Sequence, residues 1–205
     1  MSYFLGNSPR YRVAFGGSIS VKSEKLLPYS ALKYGVLTLF CGPHTRSKAK
    51  AEPETARRIE AAGGEKAVAE RVSEMLRYVF ISLPGTKKIM TEPRPNIPEI
   101  REEYLSISAA ALYAVCLALY TIAKDHGGIM DVPDEVWKRA ADKWSTHLDW
   151  GKRADSSFVG TILVPIVDKK TNKPTGKYTI APGRDAVEGA ARLLLQRAEA
   201  KPVAA

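Results

Sequence analysis

From Tyr104 to Ala123 the chain runs for twenty residues without a charged side chain, and a stretch of that length has only two stable destinations. It either crosses a bilayer or forms a helix enclosed by protein. Ser106, Ser108, Thr121 and three tyrosines lower its apolarity, and Ala109, Ala110, Ala111, Ala114 and Ala118 leave room for neighbours to approach closely. The segment Glu99 to Lys124 is therefore predicted as a central helix buried on most sides, and membrane insertion is not expected.

Around it, 205 residues supply one ordinary core, or a smaller core with arms. A hydrophobic fraction of 45% and a charged fraction of 26% exclude a disordered tail or a fibre. Glu54 to Phe80 carries Ile59, Val68, Val72, Met75, Leu76 and Val79 at helical spacing, divided at Gly63 and Gly64. Asp131 to Glu135, with Pro133, reads as a helix start that leads into Trp137, Ala141, Trp144 and Leu148 on one face. Arg184 to Ala200 is an amphipathic helix with Val187, Leu194 and Leu195 inward.

Other segments read differently. Residues 1–22 are rich in Gly, Ser and aromatics, and Val13/Phe15 and Ile19/Val21 alternate about Gly16 and Gly17, as in a hairpin or bulged extended arm. Pro28 to Cys41 favours a helix, although Val36 to Phe40 also fits a buried strand. His44 to Pro53 reads as an exposed basic linker, and Leu83 to Pro98, with five Pro or Gly breakers, as a long irregular connection. Phe158 to Val167 and Lys177 to Ile180 form a hairpin around a lysine-tipped loop, placed at an edge by Pro165. The expected fold is mainly α: a helical bundle core with an extended basic N-terminal arm and a peripheral β-hairpin near the C-terminus. The segments are a basic aromatic arm over 1–53, a helical core over 54–150, the hairpin over 151–182 and a C-terminal helix and tail over 183–205.

Charge is placed unevenly. Residues 1–50 hold eight Lys or Arg against Glu24 alone, residues 101–150 hold five against eight acids, and residues 151–205 hold ten against five. A solvation requirement spreads charge evenly, whereas a polyanion partner needs cations only where it lies. Seven aromatics, Tyr3, Phe4, Tyr11, Phe15, Tyr29, Tyr34 and Phe40, share the first fifty residues with these cations. Cations for phosphate beside rings for stacking suit nucleic acid, while docking of the rings on the core under a solvated basic face accounts for the same pattern. The candidate contacts are Arg10, Arg12, Lys22, Lys25, Arg46, Lys48 and Lys50, with Lys169, Lys170 and Lys173 as a second patch.

Catalytic patterns are not found. Cys41 and His44 have a ligand-like spacing but no second cluster to complete a four-ligand zinc site. Cys116 lies in the most apolar helix, where burial makes a thiol inert towards His126 or His147. The run from Leu83 to Lys88 lacks P-loop glycine spacing, and Gly16 and Gly17 lack a dinucleotide fingerprint. Glu102/Glu103 and Asp134/Glu135 open helices, where the dipole explains them. No enzyme, cofactor or metal is expected.

The chain has only Asn7, Asn96, Asn172 and Gln196 among amides, with two cysteines and four methionines. Such scarcity of thermolabile residues resembles hyperthermophile composition, although GC-rich coding leaves the same mark. The opening residues carry no secretory leader pattern, Gly6, Pro9, Arg10 and Arg12 breaking Met1 to Val21. An intracellular or virion location is expected. The function expected is a non-enzymatic structural protein that self-assembles on DNA, such as the coat protein of a hyperthermophilic archaeal virus. The partner is nucleic acid, double-stranded DNA ahead of RNA, within a homo- or hetero-oligomer. Two alternatives stay open: a small helical subunit of an RNA-guided or RNA-processing ribonucleoprotein, and a winged-helix-like DNA binder. For the last, Lys138, Arg139 and Lys143 would lie on the helix and the hairpin would be the wing.

Overall fold

The computed structural model describes residues 22–43 and 48–199, with residues 48–52 described by their backbone alone. In chain order the helices are α1 (Tyr29–Cys41), α2 (Lys48–Ala61), α3 (Gly64–Ser82), α4 (Pro84–Thr91) and α5 (Ile97–Glu103), then a 3-10 turn (Leu105–Ile107), α6 (Ala109–Lys124) and α7 (Asp134–His147). Strands β1 (Leu163–Val167) and β2 (Pro174–Ile180) form one antiparallel hairpin before α8 (Arg184–Glu199). The described chain is mainly α with a small hairpin near its C-terminal end, as the sequence pattern predicts.

Each helix in the order α1, α2, α3, α7, α8, α6 packs on the next, and α6 packs back on α1. The alanine-rich sequence of α6 makes this geometry available. On α1, a Cβ at Gly35 would lie 3.1 Å from Leu112 Cγ and 3.3 Å from Cys116 Sγ, so the absence of a side chain at Gly35 makes room for Leu112 and Cys116 of α6. Among the described residues no helix is long and apolar enough to cross a membrane.

The uncharged run does not form one helix from Tyr104. Tyr104 is extended and bridges Gly151, and Leu105 N donates to Trp150 O at 2.8 Å. Only at Ser108, whose hydroxyl accepts the Ala111 N–H at 3.1 Å, does α6 start. Local capping thus sets the boundary inside the apolar stretch.

The expected irregular connection from Leu83 to Pro98 is corrected too. Pro84 opens α4 and Pro98 lies in the first turn of α5, positions where a missing N–H costs a helix nothing; Asn96 caps α5 by accepting the Glu99 N–H. Only Pro93 and Pro95 remain in a connection. The basic linker likewise ends early, because α2 runs through Lys48, Lys50 and Pro53. Residues 28–41 are helical rather than a strand, and Leu39 and Phe40 belong to the main core, so the chain from Tyr29 onward is part of the bundle. The expected hairpin about Gly16 and Gly17 falls outside the described residues. At the C-terminal hairpin, Phe158 and Ile162 precede β1 as buried turn residues, and β2 starts earlier than expected, at Pro174.

Tryptophans join α7 to its surroundings. Trp144 Nε1 donates to Leu194 O of α8 at 2.8 Å, and Trp150 Nε1 donates to Trp144 O at 2.8 Å. Trp150 also packs on Phe158, with ring centroids 4.5 Å apart. At the other end of α7, Asp134 binds both Arg71 of α3 and Lys138.

Candidate nucleic-acid interface

The hairpin is the most exposed element of the described chain, and its construction follows from strand alternation. Register pairs Leu163 with Ile180 and Pro165 with Tyr178 on one face, and Val164 with Thr179 on the other. The first face turns towards the core: Leu163 is buried, and Tyr178 and Ile180 pack against core residues. On the second face Lys177 and Thr179 are exposed; Thr175 is exposed as well, its hydroxyl donating to Ile166 O at 3.0 Å. Ile166 and Val167 are 38% and 43% exposed, rare values for large apolar residues among the described ones. A register shift lies between Pro165 and Val167, and on the facing strand Gly176 adopts φ 75°, a left-handed conformation that an L side chain resists. The shift twists the ribbon beyond a regular pair.

The loop at its tip is tied down by Asp168. Its carboxylate accepts N–H bonds from Lys170 at 2.7 Å and Thr171 at 3.1 Å. Asp168 N donates to Lys173 O at 2.9 Å, Asn172 N donates to Asp168 O at 2.8 Å, and Asn172 takes the left-handed turn at φ 52°. The Thr171 and Lys170 N–H groups hold the Asp168 carboxyl below the usual carboxylate range. Lys169, Lys170 and Lys173 are all exposed on this loop, and the adjacent acid is spent on the backbone. The arrangement can neutralise phosphates at a fixed geometry.

The other expected contacts divide. Arg10, Arg12 and Arg46 fall outside the described residues, and of Lys48 and Lys50 only the backbone of α2 is described. Lys22 is exposed and Lys25 half-buried in the extended segment before α1. That segment is held by Arg101 of α5, whose guanidinium donates to Ser23 O at 2.9 Å and to Lys25 O. Lys152 donates in turn to Arg101 O, and burial, then Arg101, pushes its ammonium pKa down. The Lys22 and Lys25 pair and the hairpin lysines thus stand on separate elements.

Sequence reasoning passed over Lys177, which alternation puts on the exposed hairpin face, and the role of Asp168. An Asp two residues before a backbone N–H it can bind, with Asn following, is an Asx-turn signal present in the sequence.

The cations considered for a winged helix have other occupations. Lys138 binds Asp134 at 2.7 Å, Lys143 donates to Ala198 O at 2.8 Å, and Trp137 and Trp144 are fully buried between α3 and α8. Of the three, only Arg139 is exposed.

Elsewhere, an apolar cavity of about 260 Å³ opens between α1, α6 and α8, lined by Tyr34, Tyr113, Leu117 and Val187. A wider cleft of about 520 Å³ lies between α4 and α7, with Lys87, Lys88, Thr91 and Thr146 on its walls. Among the described residues no group of three His, Cys, Asp or Glu is placed to hold a metal ion. Cys116 is fully buried, which pushes its thiol pKa well up, and Cys41 Sγ lies 3.1 Å from Thr55 Oγ1. No protein-family model, curated protein or solved structure matches the chain.

Proposed function

We propose that this protein is a non-enzymatic nucleic-acid-binding structural protein that assembles with copies of itself on double-stranded DNA, as the coat protein of a hyperthermophilic archaeal virus does. The observation carrying the proposal is the lysine loop: three exposed ammonium groups on a hairpin whose only loop carboxylate is turned onto its own backbone. The strong excess of cations in residues 1–50 supports it, giving the chain a second basic region. Lys22 and Lys25, with Arg10, Arg12, Arg46, Lys48 and Lys50, are the proposed contacts of that region. Affinity of this kind comes from phosphate neutralisation and is indifferent to sequence.

Electron microscopy of the purified chain with and without duplex DNA at low salt tests the proposal, together with absorbance at 260 nm for co-purified nucleic acid. Regular filaments or shells that require DNA are expected. Compact particles without DNA overturn it and turn attention to a subunit role within a larger ribonucleoprotein.

A further inference from the structure

The hairpin has a property that a generic cationic patch does not need. Among the described residues it pairs, beyond its root, only with itself, and it presents Lys177 and Thr179 on an exposed face opposite Val164 and beside Ile166. The Thr175 hydroxyl is turned onto the ribbon's own backbone, donating to Ile166 O at 3.0 Å and accepting the Lys177 N–H at 3.3 Å. Two-stranded ribbons are marginal on their own in water. Leaving Ile166 and Val167 over a third exposed gives up burial that a core-facing register would have gained.

We propose that the β1–β2 hairpin is a groove-reading ribbon that lies in the major groove of B-form DNA, its Lys177 and Thr179 face towards the base edges and its lysine loop on phosphate. The inference rests on the nucleic-acid reading above and adds the form of duplex, the groove and the residues that face the bases.

Dimensions favour that groove. Paired strands stand about 4.8 Å apart before side chains are added, and the resulting ribbon fits a major groove about 12 Å wide but not a minor groove of about 6 Å. The chemistry matches what the major groove displays. Lys177 can donate to guanine O6 and N7, the Thr179 hydroxyl can donate or accept at any pair, and the Val164 and Ile166 methyls suit the thymine methyl. Charge is complementary, with Lys169, Lys170, Lys173 and Lys177 against Asp168 alone, whose oxygen already accepts two N–H groups. The loop is organised before any ligand arrives, so binding does not have to order it. A-form RNA has a major groove too deep and narrow for such a ribbon, so duplex RNA is discriminated against by shape.

Fluorescence anisotropy of the full chain with one short DNA duplex, the same sequence as duplex RNA, and one single strand provides the test, with dimethyl sulfate footprinting of the DNA complex. DNA duplex is expected to bind at least about tenfold more tightly than duplex RNA, and guanine N7 to be protected while adenine N3 stays reactive. Lys177→Glu should weaken duplex binding at least about tenfold, whereas the charge-matched Lys66→Glu on the exposed side of α3 changes it less than about threefold. Should Lys177→Glu fail to fold, Lys177→Gln carries the same comparison. Equal losses from Lys177→Glu and Lys66→Glu, equal affinity for duplex RNA, or protection at adenine N3 instead of guanine N7 each overturn the ribbon assignment while leaving DNA binding intact. Lys177→Glu that breaks up protein oligomers without weakening DNA binding also overturns it, making the hairpin a contact between copies. Absence of binding to every nucleic acid overturns the functional proposal itself.

Discussion

Gly85, in the first turn of α4, sits where that helix comes closest to the chain beneath it. A Cβ there would fall 2.6 Å from Tyr104 Cβ and 2.7 Å from Ser106 Oγ, neither of which is the free end of a long side chain. Gly85→Ala is expected to destabilise the protein by about 1–3 kcal/mol through overpacking, read from the urea midpoint. Gly176 differs: its Cβ would meet nothing within 4 Å, and only its φ of 75° opposes a side chain. Gly176→Ala should cost about 1–2 kcal/mol of local conformational energy, seen as faster amide exchange in the hairpin with the thermal midpoint almost unmoved. At Asp134 the argument is electrostatic. Hydrogen bonds from Lys138, then Arg71, bring its pKa down from 3.8 to about 2. With the folded value below the unfolded one, its contribution is present above the ordinary value and lost as pH falls through about 2. Asp134→Asn should be less stable than the parent at neutral pH and should lose less stability on acidification, measured by urea titration across that range.

The elements of the bundle were legible where one helix supplied its own evidence. The spacing of Val68, Val72, Met75, Leu76 and Val79 marks α3, and Gly63 before it and Gly64 at its first position, at φ 95° and 91°, break the chain from α2. Elements whose borders depend on distant partners were not. Pro84 and Pro98 look like breakers in isolation, and only the capping residues Leu83 and Asn96 show that each enters a first turn. Trp150 and Phe158 carry no periodic signal, because what buries them is the chain folding back between α7 and β1. Of the candidate interface, the lysine loop could be seen from composition, but the face of β2 could not, since it depends on register. The joint between α7 and α8 is testable as an element. Trp144→Phe removes the N–H that satisfies Leu194 O inside the core, and should cost about 1–3 kcal/mol in chemical denaturation.

At the scale of the whole molecule, the basic ends and the acid-rich stretch over 101–150 predict how association responds to salt. Each lysine neutralising one phosphate contributes about −0.9 to the slope of log K against log salt for duplex DNA. Lys170→Ala should therefore make that slope shallower by about one unit and weaken binding to unrelated duplexes alike, read from anisotropy titrations over a salt series. The distribution of indoles gives the same experiment a second channel. All three tryptophans, Trp137, Trp144 and Trp150, are at most 1% exposed and lie in α7 or just beyond it, while the hairpin carries Tyr178 alone among aromatics. Intrinsic emission is thus an optical gauge of the bundle interior, blue-shifted in the folded protein and blind to its hairpin. DNA seated on the hairpin should leave that spectrum in place even at saturation, and a red shift on binding would report a core that opens as the protein assembles.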